Sequence, residues 1–204
     1  MSRPAKSVAG IILAAGEARR FGAQKLLAPL GGRALVQHVI GAANGSILSD
    51  VVLVVGADAE RIGRIAMGRT RVVRNPDYAT GLASSLQVGL RALADVDAAV
   101  VLLGDVPGVT SALVDALIAK QRETGATAVI SRWNGGRTPP ALLHRDLWSA
   151  ALALEGDVGM REVLAGQVDV AEIEVTPALG SLDDVDTSDD HARLARGPGT
   201  LADT

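Results

Sequence analysis

The chain of 204 residues contains no cysteine. That removes disulfide frameworks, thiol nucleophiles and cysteine-based zinc sites from the available chemistry, and leaves no mark of an oxidising compartment. Aromatic residues are scarce, being limited to Phe21, Tyr78, Trp133 and Trp148. Positive charge is not in excess either: 20 Lys and Arg stand against 23 Asp and Glu, for a formal charge of −3. Lacking both a basic footprint and a stacking surface, the chain is not expected to bind nucleic acid. Long hydrophobic runs are missing as well. The longest near the start, Val8 to Ala15, falls far short of a membrane span and is broken by Gly10 and Gly16. It also lacks the extended apolar region and cleavage pattern of a signal peptide. The expectation is a cytoplasmic protein with no membrane partner.

What is present is ordinary for a globular domain, 48% hydrophobic and 21% charged. The length suits one domain, residues 1–204, with a core over about 8–194 and mobile ends at 1–6 and 197–204. Short apolar runs alternate with segments of helical spacing, the pattern of an α/β protein. Val8–Leu13, Val51–Val55, Arg71–Arg74 and Ala98–Leu103 read as strands, and Ala34–Asn44, Ala59–Met67, Leu82–Leu93 and Ser111–Thr124 as helices. Ala126–Ser131 reads as a further strand, Asn134–Pro140 as a turn, and Ala141–Gly166 as short helices mixed with loops. A last strand, Ala171–Val175, precedes an acidic run over Leu182–Asp190 and a terminal helix. Right-handed crossovers predict a mostly parallel sheet of order 3-2-1-4 in a three-layer Rossmann-like fold, with a less regular carboxyl-terminal half. Ligands of such folds bind at the carboxyl ends of the strands flanking the switch point. Function is therefore to be sought in the loops after Leu13 and Leu103.

The first of these loops, Leu13-Ala-Ala-Gly-Glu-Ala-Arg-Arg-Phe-Gly-Ala-Gln-Lys25, combines small residues with cations at 19, 20 and 25. Such a loop can cradle phosphates with backbone N–H groups, Arg and Lys. Equally, Ala14, Ala15 and Gly16 can serve only to permit a tight turn between solvated charges. No Gly-Lys-Ser/Thr follows, and Gly16 and Gly22 do not fit G-x-G-x-x-G, so neither common nucleotide fingerprint applies.

The run resembles the signature of the nucleotidyltransferases of the molybdenum-cofactor cytidylyltransferase and guanylyltransferase kind, L-A-(A/G)-G-x-(S/G)-x-R-(M/F/L)-G-x-x-K, on which Leu13, Ala14, Ala15, Gly16, Arg20, Gly22 and Lys25 fall. Ala18 stands where relatives carry Ser or Gly. Further segments are similar in the same order: Asn75–Leu86 with Gly81, Ser84 and Ser85; Gly104-Asp105-Val-Pro107; Glu155–Arg161 with Asp157; and Asp184-Val-Asp186-Thr187. One segment departs from the family pattern, Thr138-Pro139-Pro140 standing where relatives carry Gly-His-Pro or Gly-Asn-Pro.

The resemblance implies a nucleotidyltransferase fold of the GT-A-like type and transfer of a nucleoside monophosphate from a nucleoside triphosphate to a phosphorylated acceptor of molybdopterin type. It implies Mg²⁺ held by Asp105, Asp184 and Asp186; nucleotide binding by Leu13, Ala14, Ala15, Gly16, Arg20, Lys25, Gly81, Ser84, Ser85 and Asp105; and catalytic roles for Lys25, Arg20 and Asp105. Pro140, Asp157 and Arg161 fall toward the acceptor. The Ala14-Ala15 pair is more like cytidylyl-transferring relatives than the Ala-Gly pair of guanylyl ones, which favours CTP. A molybdoenzyme or its chaperone is a partner this reading allows. GTP-dependent transfer, a sugar- or alditol-phosphate acceptor, a reductase look-alike and a non-catalytic module delivering finished cofactor stay open as alternatives.

Each residue also has a plainer reading. Asp105 can be a turn residue, Asp184 and Asp186 part of a solvated acidic face, Ser84 and Ser85 helix caps, and Asp157 with Arg161 an exposed ion pair. His38, His144 and His191 lack metal-ligand spacing and read as structural or surface residues. The Asp95-Val-Asp97 pair precedes the fourth strand, at the wrong end of the sheet for chemistry.

Overall fold

The structure, a computed structural model, describes residues 4–17, 21, 24–93 and 95–196. In chain order the elements are β1 (Val8–Ala14), β2 (Pro29–Leu30), β3 (Arg33–Ala34), α1 (Leu35–Gly45), β4 (Val51–Val55), α2 (Ala59–Arg64), β5 (Thr70–Arg74) and α3 (Leu82–Ala92). There follow β6 (Ala98–Leu103), α4 (Ser111–Thr124), β7 (Ala128–Trp133), β8 (Gly136–His144), α5 (Trp148–Leu152), α6 (Met160–Leu164), β9 (Val170–Glu174) and α7 (Ser188–Arg196). Seven strands form one sheet of order β5-β4-β1-β6-β8-β7-β9, while β2 and β3 make a small separate hairpin.

The first four positions of that order are the expected 3-2-1-4, all parallel, with β1 pairing β4 on one side and β6 on the other. Every residue of β1 and β4 is buried, which accounts for their uninterrupted apolar runs. Side chains alternate between two cores because successive strand residues face opposite ways. Ile12 joins Leu35, Val39, Leu113 and Leu117 of α1 and α4 on one face. Ile11 joins Leu86, Leu90, Trp148 and Val163 of α3, α5 and α6 on the other. The result is the expected three-layer arrangement. Gly125 ends α4 in the left-handed conformation at φ 65°, as expected, whereas the cap at its start is Thr110, which accepts from the Leu113 N–H, and not Ser111, the cap the sequence suggests, which already lies inside the helix.

Two expectations need correction. Asn134–Pro140 is not a turn, and Ala141–His144 are not part of a mixture of short helices and loops: only the start turns, and Gly136–His144 forms β8, antiparallel to both β6 and β7 in the interior of the sheet. Prolines are disfavoured in central strands because they lack an N–H, and here they coincide with a register shift opposite Ile130 and Ser131. The Pro140 carbonyl instead accepts from the Ser131 hydroxyl at 2.7 Å.

The expected mobility of the amino-terminal end does not extend to residues 4–6. Ala5 is 2% exposed and its N–H donates to Gln121 Oε1 at 2.7 Å. The Lys6 and Ser7 N–H groups donate to Asp97 Oδ2 at 2.8 and 2.9 Å. Asp97 thus anchors the start of β1, away from the carboxyl ends of the strands. Residues 1–3 and 197–204 lie outside the described residues. Among the described residues no helix is long and apolar enough to cross a membrane.

Candidate functional site

The carboxyl ends of β1 and β6 lie side by side, tied by the Gly104 N–H donating to the Leu13 carbonyl at 2.9 Å. Asp105 follows immediately, so its side chain stands beside the loop that leaves β1. Lys25 comes to meet it from a 3-10 turn over Lys25–Leu27, which Gln24 caps by accepting from the Leu26 N–H. The ammonium lies 2.8 Å from Asp105 Oδ2 and 2.9 Å from Asp186 Oδ1. Burial, the largest influence, pulls the Lys25 pKa down, but the charges and hydrogen bonds of Asp105 and Asp186 outweigh it and hold the ammonium more firmly protonated than an ordinary lysine.

Backbone contacts carry the late acidic segment to this point. The Ser181 N–H donates to the Gly108 carbonyl at 3.1 Å, and the Val185 N–H to the Asp105 carbonyl, also at 3.1 Å. The approach needs glycine at both sides: a Cβ on Gly108 would lie 2.5 Å from the Ser181 carbonyl oxygen, and one on Gly180 2.3 Å from the Gly108 oxygen. Trp133 Nε1 donates to Asp183 at 3.0 Å and secures the same segment to β7. Asp184 is raised above the usual carboxylate range, chiefly by partial burial and then by the charges of Asp186 and Asp105. Among the described residues no three His, Asp or Glu are grouped so as to hold a metal ion by themselves.

Beside Asp105 opens a pocket of about 320 Å³ lined by Leu13, Ala15, Gly16, Tyr78, Gly81 and Ser85, among others. A second, mainly apolar pocket of about 440 Å³ shares Leu13, Leu82, Leu103 and Asp157 with it and continues toward Thr138, Pro139 and Arg161. The two therefore form one cleft. Its floor is the sheet; its side wall is the start of α3, locked to the 155–161 segment at Gly81. There φ is 122°, and a Cβ would lie 2.3 Å from the Gly156 carbonyl carbon and 2.6 Å from the Asp157 nitrogen. The Ala83 N–H donates to the Gly156 carbonyl at 3.2 Å across the same contact.

Most of the residues singled out in the sequence converge here. Leu13, Ala15, Gly16, Gly81, Ser85, Asp105 and Asp157 line the smaller pocket, and Ala14 is buried at the end of β1 beside them. Ser84 points elsewhere, its hydroxyl placed against the carbonyls of Gly81 and Asp77 at 2.8 and 3.1 Å and lining a separate surface pocket. Arg161 lines the larger pocket, but Pro140 does not; its neighbours Thr138 and Pro139 do, because Pro140 is buried against β7. Arg20 lies outside the described residues.

Residues not singled out also shape the site. Asn75, fully buried, donates to the Ser84 and Ser85 hydroxyls at 2.9 and 3.0 Å and accepts from the Asp77 N–H, fixing the start of α3. Its place in the Asn-Pro pair was the signal that could have marked it. Tyr78 lines the smaller pocket and lies within the Asn75–Leu86 segment that resembles the family; Arg137 lines the larger one, and nothing in its local sequence spacing announces it.

Residues 10–172 match the MobA-like NTP transferase domain family. Among curated relatives, the purine catabolism protein PucB of Bacillus subtilis is 28% identical over 92% of this chain and 95% of its own. A probable molybdenum cofactor guanylyltransferase of Mycobacterium ulcerans is 33% identical over 69% of each chain. The nicotine blue oxidoreductase of Paenarthrobacter nicotinovorans is 29% identical over 92% of this chain and 96% of its own. Among solved structures, Rv0371c from Mycobacterium tuberculosis superposes with a TM-score of 0.82 at 28% identity, covering 94% of this chain and 98% of that one.

Proposed function

The chain belongs to the MobA-like NTP transferase family, a nucleotidyltransferase family, and from that premise we propose that it transfers CMP, in preference to GMP, from a nucleoside triphosphate to a phosphorylated acceptor of molybdopterin type. The observation that carries this reading is Lys25 Nζ held between Asp105 and Asp186, beside a pocket walled by the loop after β1 and the start of α3. In the proposed reaction an acceptor phosphate oxygen forms a bond to the α-phosphorus, the bond to the bridging oxygen breaks, and pyrophosphate leaves. The acceptor is already an anion, so no general base is required. Negative charge grows on the leaving oxygens, and groups aimed at it in advance lower the barrier. Lys25, with Arg20 and the N–H groups of residues 14–16, is assigned that role.

Mg²⁺ fits the donor chemistry. The carboxylates that meet one ammonium offer only hard oxygens, and magnesium keeps several waters and needs one or two protein carboxylates. Asp105 and Asp186 would hold it, with Asp184 near enough for its charge to be disfavoured by both. When bound, it would supply positive charge to the triphosphate oxygens.

The proposed preference for cytosine rests on Ala15, which lines the smaller pocket and stands where guanylyl-transferring relatives would carry a glycine that leaves room for a larger base. The larger pocket, bordered by Thr138, Pro139 and Arg161, is assigned to the acceptor, and a molybdoenzyme or its chaperone to receipt of the product. The test is magnesium-dependent pyrophosphate release from CTP, GTP, ATP and UTP separately, with molybdenum cofactor as acceptor and a control without acceptor. Release with CTP in excess of GTP is expected. Release from none of the four, by protein that is folded, would overturn the reading.

A further inference from the structure

His191 is the third residue of α7 to follow Ser188, and it touches the chain on both sides of Lys25, at Phe21 in the loop after β1 and at Pro29 in β2. Its Nε2 lies 2.9 Å from the Pro29 carbonyl. A carbonyl only accepts, so Nε2 carries the proton and donates. Its ring meets Phe21 edge to face, with centroids 5.9 Å apart and planes at 83°, the geometry favoured by the charge distribution of two aromatic rings. One contact thus lies four residues before Lys25 and the other four residues after it. Between them, Lys25 sits on a 3-10 turn closed by the Leu27 N–H donating to Gln24 and the Ala28 N–H to Lys25.

The mounting of His191 is itself tied to the site. Asp186, which pairs with Lys25, is followed directly by Thr187, whose N–H and hydroxyl both donate to Asp190 Oδ2, at 3.0 and 2.7 Å. That reciprocal cap, completed by the Asp190 N–H donating to Thr187 Oγ1 at 3.2 Å, fixes the start of α7 relative to Asp186. The segment from Asp186 to His191 therefore grips the loop three times: by charge at Lys25, by a ring at Phe21 and by a hydrogen bond at Pro29.

We infer that His191 is a positioning residue for nucleotidyl transfer, acting through Phe21 and Pro29 to hold the loop so that Lys25 is already aimed at the triphosphate. The inference rests on the reading of Lys25 as a phosphate ligand. Without His191, each binding event has to order the loop first, and that cost appears as weaker phosphate binding.

The test measures affinity for inorganic tripolyphosphate and for CTP by calorimetry, together with KM and kcat, in the wild type and in His191→Ala, His191→Phe, His191→Gln, Phe21→Ala and the Phe21→Ala/His191→Ala double variant. His191→Ala is expected to weaken both ligands about tenfold, a change equivalent to ~1.4 kcal/mol, and to raise KM for CTP with kcat within about twofold. His191→Phe, keeping a ring for Phe21, and His191→Gln, keeping a donor for Pro29, each recover part of the loss, which also keeps the test open if the alanine variant folds poorly. The double variant is expected to lose less than the sum of the single losses, because Phe21 and His191 share one contact. Wild-type affinity and KM in a folded His191→Ala protein would overturn the inference while leaving nucleotidyl transfer intact. Wild-type protein that binds neither tripolyphosphate nor CTP would instead remove the transferase reading and this inference with it.

Discussion

Lys25 and Asp186 are 161 positions apart in the chain, and their side chains meet at 2.9 Å. Asp105 closes the same contact from a third region at 2.8 Å. The meeting is made outside the strands, at the carboxyl end of the sheet, the place where a doubly wound fold offers a crevice. Two carboxylates on one ammonium leave a net negative charge, which is why the proposed Mg²⁺ is assigned to this contact.

Asp105→Asn should therefore abolish most of the activity and spare the fold. The carboxylate is partly exposed and contributes little to packing. Loss of a group that stabilises transition-state charge is expected to lower kcat by about 10²–10³-fold, while the thermal midpoint shifts by no more than a few degrees. Parallel measurement of pyrophosphate release and thermal unfolding decides it: near-normal turnover would remove Asp105 from the metal and the chemistry.

Much of this was legible in the sequence. The buried parallel strands announce themselves as apolar runs, and the order around β1 follows from handed crossovers, so the position of the cleft follows from the sequence. Strand β8 was not, because Pro139 and Pro140 mimic a turn; only the register shift beside Ser131 lets them sit inside a sheet. The roles of Gly108 and Gly180 were hidden for a different reason. They depend on two loops approaching to backbone contact, and no periodicity within either loop records that. His191 reads as a structural or surface residue, and its partners stay hidden because Phe21 and Pro29 are distant in sequence.

Base selection is expected to move with Ala15. Its side chain borders the smaller pocket, and removing the methyl enlarges the space beside Gly16 and Tyr78. One methyl or methylene in a pocket is worth ~1–3 kcal/mol of discrimination. Ala15→Gly should accordingly shift the ratio of kcat/KM for GTP over CTP upward by about tenfold or more. Competition of the two nucleotides in a single reaction, read by product mass, measures the ratio directly; an unchanged ratio would place base choice elsewhere in the cleft.

Stability should respond to acid through Asp97. Hydrogen bonds from the Ser7 backbone, then the Lys6 backbone and the Ser7 hydroxyl, hold its carboxyl below the usual aspartate range, against the opposing effect of burial. The native state thus favours the charged form more than the unfolded chain does. The stabilisation is complete above the unfolded value and is lost as the pH falls through the lowered native one. Asp97→Ala should cost about 1 kcal/mol at neutral pH, toward the low end for a hydrogen-bonded charge that is partly exposed. The gap in thermal midpoint between wild type and variant should close as the pH drops from about 4 downward. A gap that stays constant into acid would mean that the carboxylate charge is not what ties down the start of β1.

Gly81→Ala tests whether the wall shared by the two pockets is needed in its present form. The added Cβ meets the Gly156 carbonyl and the Asp157 nitrogen, both backbone, so no flexible side chain can move aside to relieve the clash. The backbone at φ 122° is also one that residues other than glycine rarely adopt, a strain of order 1–3 kcal/mol. The structure can respond only by moving the 155–161 segment away from α3, which carries Asp157 and Arg161 with it and opens the cleft on the acceptor side. KM for the acceptor should then rise about tenfold or more, and KM for CTP should rise with it, because Gly81 and Asp157 also line the smaller pocket, while kcat should change less because Lys25, Asp105 and Asp186 stand on other elements. Gly156→Ala provides the control. Its φ is also positive, at 74°, but a Cβ there meets nothing within 4 Å, so it shares the backbone strain without the clash. Comparable rises in acceptor KM for both variants would assign the effect to backbone strain alone; a rise confined to Gly81→Ala would assign it to the contact that joins the two pockets.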